Sequence, residues 1–270
     1  MADPHQTDTH LTVTREDVIA IVTFNRPERR NAFNLAMWRR LKEIMEALSA
    51  DEALRCVVLR GAGGAFSAGA DLREVEALTG VEAVRAYFGG MALLLEAMFS
   101  CPKPIVAAAF GYTLAGGMGL AAGADLLVAA SDTVFGLPEI GVGLFPMVVM
   151  AAISRHIGRR RTLQLAFTGE RIDAATAERW GFVNHLWPQA ELEAESLALC
   201  ERLSEKSAAI LALGKEAYGQ MADMAYPAQL HYLKDMVSLV ALSEDSKEGV
   251  RAFWERRPPV WPGAKPPTSG

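Results

Sequence analysis

The chain has 270 residues, of which 51% are hydrophobic and 22% are charged, a composition that can fill an ordinary globular core. The formal net charge of −5 disfavours a nucleic-acid-binding protein, because such a protein carries a basic surface. No apolar run has the length of a membrane span, and the polar start MADPHQTDTH lacks the apolar segment of a signal peptide. These features predict a cytoplasmic protein with neither a nucleic-acid nor a membrane partner.

Three cysteines, Cys56, Cys101 and Cys200, are odd in number and far apart, and no Cys-x-x-Cys occurs. No histidine stands beside them at the spacing of a metal ligand. We therefore expect three reduced thiols, two of them in core positions, and no bound metal.

The first half of the chain alternates short strands with helical stretches. Residues 11–15 and 18–24 predict a hairpin, and the apolar spacing over 34–48 predicts an amphipathic helix. Further short strands are expected at residues 56–60, 105–110, 126–130 and 134–135. The resulting organisation is a repeated β-β-α pattern with no fixed repeat period.

From about Pro146 onward the pattern is almost entirely helical. Helices are expected at residues 174–179, 190–204, 207–220, 227–242 and 244–254. This change of composition marks a subdomain boundary. The Pro-rich ending RRPPVWPGAKPPTSG is expected to be extended or disordered.

The segment GYTLAGGMGLAAGAD, residues 111–125, joins a buried apolar run to a small-residue helix. Its glycines, Gly116, Gly117 and Gly119, let backbone N–H groups approach a ligand with no side chain in between, which favours an anion site. A phosphate loop would continue with Lys and then Ser or Thr, and this segment continues with Met-Gly-Leu. An apolar setting suits a developing oxyanion, so Gly116 is predicted to form one half of an oxyanion hole.

A second glycine turn, AFSAGADL, supplies a candidate for the other half. Asp71 with a Glu three residues later has the spacing of a capping box, so a helix is expected from Leu72. The amides of Ala68 and Gly69 then lie just ahead of the positive end of that helix. Taken singly, each glycine segment fits a close-packed turn equally well.

The motif LPEIG presents one carboxylate, Glu139, just after a predicted short strand. Pro138 fixes its own φ and restricts Leu137, so the glutamate stands on a stiff turn, which suits a general base. A solvated surface residue is the alternative that the residue type alone favours.

Together these motifs resemble the enoyl-CoA hydratase/isomerase (crotonase) family in order and spacing. The matching segments are AFSAGADL, PKPIVAAAFGYTLAGGMGLAAGADL and FGLPEIGVGLFP, with NRPERRNAFN, FTGERIDAATAERWGFVN and EGVRAFWERRPPVW. The resemblance implies an α/β fold, with a crotonase-like superhelix of β-β-α turns at 11–200 and a helical C-terminal region at 201–258. It also implies packing into homotrimers or homohexamers. Outside this fold we expect a disordered N-terminal tail at residues 1–10 and a Pro-rich tail at residues 259–270.

The resemblance further implies an enzyme that acts on acyl-CoA thioesters through a stabilised enolate. The thioester oxygen would lie between the amides of Ala68 and Gly116, and Glu139 would transfer the proton. Further contacts with substrate or coenzyme A are expected from Gly69, Ala70, Asp71, Leu72, Gly117, Arg29 and Arg30. No metal or redox cofactor is needed, since coenzyme A enters as part of the substrate.

The chain departs from the family pattern at Gly119, where family hydratases with two glutamates carry the second one. A single base can still move a proton along an acyl chain, as in family isomerases of the one-glutamate type, so double-bond isomerisation is the favoured reaction. Hydration of 2-enoyl-CoA and a weakly active acyl-CoA-binding subunit are the alternatives. A family hydrolase with glycine at this position carries an aspartate where this chain has Met147, which disfavours hydrolysis.

Two further groups of residues, three arginines and three methionines, each allow two interpretations. The arginines of NRPERRN suit the phosphates of coenzyme A or a solvated loop equally well. Met118, Met147 and Met150 suit an apolar acyl pocket or ordinary core packing equally well.

Overall fold

Ten strands form two sheets in residues 10–261, the part of the chain that the computed structural model describes. The strands are β1 (Leu11–Glu16), β2 (Ile19–Phe24), β3 (Cys56–Gly61), β4 (Ala65–Ser67), β5 (Ile105–Ala109), β6 (Tyr112–Leu114), β7 (Leu126–Ala130), β8 (Val134–Gly136), β9 (Arg171–Asp173) and β10 (His185–Trp187). The larger sheet has the order β1-β2-β3-β5-β7-β10, and the smaller sheet has the order β4-β6-β8-β9.

The chain passes back and forth between the two sheets. Strands β3, β5 and β7 lie in the larger sheet, and the strand that follows each of them lies in the smaller one. Neighbouring strands run parallel except in the β1–β2 hairpin and the β8–β9 pair. This alternation builds the predicted superhelix of β-β-α turns.

The helices are α1 (Leu35–Ala50), α2 (Leu72–Ala77), α3 (Val81–Ser100), α4 (Gly116–Gly123), α5 (Val149–Thr168), α6 (Ala174–Arg179), α7 (Leu192–Ser204), α8 (Ala208–Met221), α9 (Tyr226–Leu242) and α10 (Glu244–Glu255). Two short 3₁₀ turns lie at Pro27–Arg29 and Pro138–Val142. Helix α1 begins after Asn34, whose side-chain oxygen accepts a hydrogen bond from the N–H of Met37 (2.8 Å). Its apolar face enters the main core, as the periodicity of the sequence predicts.

The prediction that the chain is almost wholly helical after Pro146 is wrong at β9 and β10. Each of these strands has three residues, and all of these residues are exposed or half-buried. A segment of three residues is too short to show an apolar alternation, so hydrophobic periodicity gives no signal for these strands. They are strands because β8 and β7 offer them free edges to pair with.

Contacts divide the chain into two units between Glu201 and Arg202. In the second unit α9 packs against α8 and α10, and the hydroxyl of Ser207 donates a hydrogen bond to the carboxylate of Asp245. The indole N–H of Trp261 donates to the carbonyl oxygen of Glu205 (2.7 Å). Residues 262–270 of the predicted C-terminal tail and residues 1–9 of the predicted N-terminal tail lie outside the described residues.

All three cysteines are free and buried, one more than the two core positions predicted. Cys56 Sγ on β3 lies 2.9 Å from Cys200 Sγ on α7. The hydrogen bond with Cys200 and burial together raise the pKa of the Cys56 thiol. No helix between residues 10 and 261 combines the length and the apolar character that a membrane crossing needs.

Candidate active site

Three parallel strands of the smaller sheet, β4, β6 and β8, end side by side. Ser67 at the end of β4 pairs with Thr113, and Leu114 at the end of β6 pairs with Gly136 at the end of β8. Because the carboxyl ends of parallel strands meet at one edge of a sheet, the segments that follow them are brought together. The two glycine motifs and the Glu139 motif, far apart in sequence, therefore converge at this edge.

The two glycine segments are packed backbone to backbone. A Cβ atom at Gly69, whose φ is +91°, would lie 2.6 Å from the amide nitrogen of Gly116. A Cβ atom at Gly117 would lie 2.2 Å from the carbonyl oxygen of Ser67. No side chain fits at either position, so glycine is required for this approach.

The amides of the AFSAGADL turn are not equivalent, and the structure corrects the prediction for Ala68. The N–H of Ala68 already donates a hydrogen bond to the carbonyl oxygen of Arg30 (2.9 Å), and the N–H of Gly69 donates to Ser67 Oγ (3.1 Å). Among the hydrogen bonds of residues 10–261, none is donated by the N–H of Ala70. The amide of this turn that remains available to a ligand is therefore that of Ala70.

Gly116 is the first residue of α4, where a helix leaves its backbone N–H groups without an intrahelical acceptor. Ala115, just before it, has φ 52° and ψ −124°, a conformation that a residue with a side chain rarely adopts. Two bonds hold it there: its N–H donates to the Gly136 carbonyl (2.9 Å), and its carbonyl accepts from the N–H of Gly119 (3.1 Å). Such local strain, maintained by its surroundings, is typical of functional sites.

Glu139 stands on the 3₁₀ turn Pro138–Val142, directly after β8. Its backbone carbonyl accepts a hydrogen bond from the N–H of Leu144 (3.0 Å), which fixes the turn. The carboxylate atom Oε2 is buried and has no hydrogen-bond partner in the described chain. Burial raises the pKa of Glu139 to about 7, so near neutral pH this carboxyl can both accept and return a proton.

Asp71, predicted to contact substrate, has both carboxylate oxygens engaged by the fold. Oδ2 lies 2.6 Å from Nη1 of Arg26, and Oδ1 accepts a hydrogen bond from the N–H of Arg73 (3.1 Å) at the start of α2. Burial alone would raise the pKa of Asp71, but the hydrogen bonds from Arg26 and Arg73 outweigh it and lower the pKa. Asp71 therefore supports the glycine turn. Leu72, the next predicted contact, is exposed.

Two residues that support the turn were missed by sequence reasoning. Arg26 also donates to the carbonyl oxygen of Ala32 (3.0 Å), so it ties the chain before α1 to Asp71. The hydroxyl of Tyr87 on α3 donates to the Phe33 carbonyl (2.7 Å) and accepts from the N–H of Asp71 (3.0 Å). Arg26 stands in a noted motif, whereas nothing near Tyr87 in the sequence signals its role.

The remaining candidates lie in different surroundings. The Arg30 guanidinium lies 5.0 Å from the centroid of the Tyr112 ring, and Arg29 is half-buried; their contact with coenzyme A stays a prediction. Met118 is fully buried in the core, whereas the side chain of Met147 is 64% exposed. Core packing thus accounts for Met118 and does not account for Met147.

A cavity of about 310 Å³ lies elsewhere, against β2, β3, β5 and the start of α7. Arg60 and Glu193, which form an ion pair, line it, and none of the predicted site residues does. No group of three or more His, Cys, Asp or Glu side chains within residues 10–261 is arranged to hold a metal ion.

Comparison with solved structures defines the fold. The chain superimposes on the crystal structure of an enoyl-CoA hydratase from Mycobacterium smegmatis with a TM-score of 0.89 and 31% identity, covering 93% of this chain and 98% of the other. It therefore has the crotonase fold.

Sequence comparison defines the family. The family model described as enoyl-CoA hydratase/isomerase matches residues 14–264. A Rhizobium meliloti protein named a probable enoyl-CoA hydratase is 33% identical over 249 residues, 92% of this chain and 95% of that protein. The mitochondrial enoyl-CoA hydratase domain-containing protein 3 of Mus musculus is 32% identical over 258 residues, 95% of this chain and 86% of that protein. The chain belongs to the enoyl-CoA hydratase/isomerase family.

Proposed function

We propose that this enzyme isomerises the double bond of enoyl-CoA thioesters. The observation that carries the proposal is the carboxylate of Glu139, whose buried Oε2 has no hydrogen-bond partner in the described chain. It lies at the sheet edge where the amides of Ala70 and Gly116 also lie. One base with a pKa near 7 suits a reaction that removes a proton and returns it.

In the proposed reaction the thioester oxygen accepts hydrogen bonds from the N–H groups of Ala70 and Gly116. These bonds stabilise the negative charge that develops when Glu139 removes a proton from C2 of a 3-enoyl-CoA. The C2–H bond breaks, and its electrons enter a dienolate. Glu139 then delivers the same proton to C4, and the double bond moves to C2–C3.

The substrate class follows from the family, and the proposed reaction requires no metal or redox cofactor. Coenzyme A takes part only as the thiol portion of the substrate. A cytoplasmic location stays a proposal, because one of the relatives named above is bacterial and the other is mitochondrial.

Hydration of 2-enoyl-CoA is the second candidate, because both relatives carry hydratase in their names. Hydration needs a water molecule to be positioned and deprotonated. The glycine at position 119 provides no second carboxylate for that task. Binding of acyl-CoA without turnover is the third candidate. The N–H groups of Ala70 and Gly116, for which the described chain provides no acceptor, and the raised pKa of Glu139 speak against it.

The test is to incubate the protein separately with 3-enoyl-CoA and 2-enoyl-CoA of several chain lengths. Isomerisation leaves the mass unchanged and creates a conjugated thioester, which NMR and ultraviolet absorbance detect. Hydration adds the mass of one water. Rapid isomerisation with slow hydration is expected; efficient hydration with kcat within about tenfold of isomerisation would make the second candidate the function.

A further inference from the structure

The space beside Gly119 on α4 is filled by Val149. A Cβ atom at Gly119 would lie 2.2 Å from Val149 Cγ1 and 2.6 Å from Val149 Cβ. Gly119 is one helical turn after Gly116, and residues three apart share a helix face, with side chains inclined toward the helix N-terminus. A side chain at position 119 would therefore project toward the Gly116 end of α4, and Val149 occupies that direction.

Val149 is held in place by the packing of α5. It is the first residue of that helix and is only 2% exposed. Helix α5 contacts both α4 and the 3₁₀ turn that carries Glu139. The branched side chain of valine is stiff about χ1 and has no polar atom with which to hold water. Val149 therefore presents a fixed apolar surface where α5 meets the helix that begins at Gly116.

We infer that Val149 determines the reaction specificity of this site. It excludes from the Gly119 side both a second carboxylate and the water molecule that hydration consumes. The inference rests on the proposed isomerase function and adds a specificity-determining residue to it. Isomerisation breaks one C–H bond and forms another on the same acyl chain, so it needs no such water. Hydration forms a C–O bond from water at C3 and places a proton at C2.

The experiment compares the native protein with Val149→Gly, Gly119→Glu and the double variant Gly119→Glu/Val149→Gly. Alanine at position 149 would keep a Cβ atom that lies 2.6 Å from the Cβ of a residue at 119, so glycine is required there. Val148→Gly is the matched control, because it makes the same change one residue earlier, at the N-cap of α5. The readouts are the melting temperature and the kcat/KM ratio of hydration to isomerisation.

Val149→Gly is expected to raise the ratio of hydration to isomerisation about tenfold, and the double variant roughly a hundredfold, because a carboxylate that activates water contributes on that scale. Val148→Gly should leave the ratio unchanged. Gly119→Glu alone should melt well below the native protein, and adding Val149→Gly should raise its melting temperature. An unchanged ratio in both variants that carry Val149→Gly, or melting-temperature losses that simply add, would overturn the inference.

The design separates this inference from the proposed function. A native protein that turns over neither enoyl-CoA would refute the proposed function, and the melting temperatures would still decide whether Val149 fills the space at position 119. A native protein that isomerises but shows no shift of the ratio in the variants would refute the inference alone. A double variant that fails to fold where Val149→Gly folds would also refute it.

Discussion

Nη1 of Arg26 lies 2.6 Å from Oδ2 of Asp71, and this ion pair joins the chain before α1 to the turn that carries the Ala70 amide. The two side chains are only 14% and 11% exposed. Removing one partner of a buried pair leaves the other charge without compensation. The geometry of the glycine turn therefore depends on a residue far upstream.

Asp71→Asn should lower the free energy of unfolding by about 3 kcal/mol near neutral pH. Because the pKa of Asp71 is lowered in the folded protein, its contribution is present above the unfolded pKa and is lost as pH falls through the folded pKa. The gap between native and variant should therefore close in acid. Urea unfolding at several pH values measures it.

Glu43→Gln is the control for this prediction, because it removes one partner of the exposed Arg40–Glu43 pair. Its effect should stay below about 0.5 kcal/mol. Equal losses in the two variants would mean that the Arg26–Asp71 pair contributes no more than a surface contact.

Replacing the backbone N–H of Ala70 with an ester oxygen, by incorporating lactic acid, should lower kcat about 10²–10³-fold, because it removes one proposed oxyanion donor. The same replacement at Ala68 removes a bond to the Arg30 carbonyl, so it should lower stability more than turnover. Steady-state kinetics and thermal melts of the two ester-substituted proteins test these two expectations. If the ester at Ala68 lowered kcat and the ester at Ala70 did not, the oxyanion donor would be the N–H of Ala68, as first predicted.

Glu139→Gln keeps the shape of the side chain and removes the base, so kcat should fall about 10²–10⁴-fold while acyl-CoA binding by calorimetry stays close to native. In the native protein kcat/KM should rise with pH and level off above about 7, since the carboxylate is the active form. Glu178→Gln, which changes an exposed residue on α6, should leave kcat and acyl-CoA binding unchanged. Loss of binding with turnover retained would make Glu139 a structural residue.

The same pKa has a consequence for stability. Burial raises it from 4.5 to about 7, so the unfolded carboxyl ionises first as pH rises. The stabilisation that this group gives below pH 4.5 is therefore lost as the pH approaches 7. Glutamine does not ionise, so the Glu139→Gln variant does not lose stability in this way. Between pH 4.5 and about 7 its melting temperature should therefore rise relative to that of the native protein. A constant difference between the two would contradict the raised pKa.

Gly117→Ala should be strongly destabilising, by about 3 kcal/mol or more, because its Cβ would meet the Ser67 carbonyl oxygen at 2.2 Å. Gly89→Ala on α3 is the matched control: nothing lies within 4 Å of its Cβ, and alanine there should stabilise the helix by up to about 1 kcal/mol. Thermal melts separate the two outcomes, and similar melting temperatures would refute the close approach of the two glycine segments.

We also predict assembly into homotrimers or homohexamers. In the second unit the side chains of Phe253 and Trp254 are 73% and 77% exposed, and large apolar residues on α9 are exposed as well. Monomers rarely leave such a surface open to water. Light scattering at micromolar concentration should report a molar mass of three or six subunits, and Phe253→Glu should lower that mass. A monomeric native protein would contradict the prediction.

Local signals in the sequence predicted much of the fold. The amphipathic helix predicted over residues 34–48, the helix that begins after Asp71 and the apolar strands of the larger sheet all follow from neighbours along the chain. Glu74, in contrast, does not complete the predicted capping box; its carboxylate accepts a hydrogen bond from the N–H of Leu35 (3.0 Å) at the start of α1. Helix boundaries depend on local chemistry, whereas the partner of a long side chain depends on the tertiary structure.

In the candidate site, too, some features follow from the sequence and others depend on the tertiary structure. The sequence predicted that the glycine motifs and Glu139 would act together, and it did not predict which amide stays unbonded. That depends on the Arg30 carbonyl, which reaches Ala68 only in the folded chain. The burial that raises the pKa of Glu139 and the packing of Val149 against Gly119 likewise depend on the tertiary structure, in which α5 contacts both α4 and the turn that carries Glu139.

The proposed carbonyl-binding groups are backbone N–H groups, whereas the proton-transfer group is one side chain. An ordinary amino-acid substitution at position 70 changes the side chain and leaves its amide in place; only proline removes an N–H directly. Position 139, by contrast, can lose its carboxylate through a single change. In evolution, the capacity to polarise a thioester should therefore outlast any particular proton-transfer chemistry, and descendants of this chain could change reactions by altering the residues on the turn after β8 and at the start of α5.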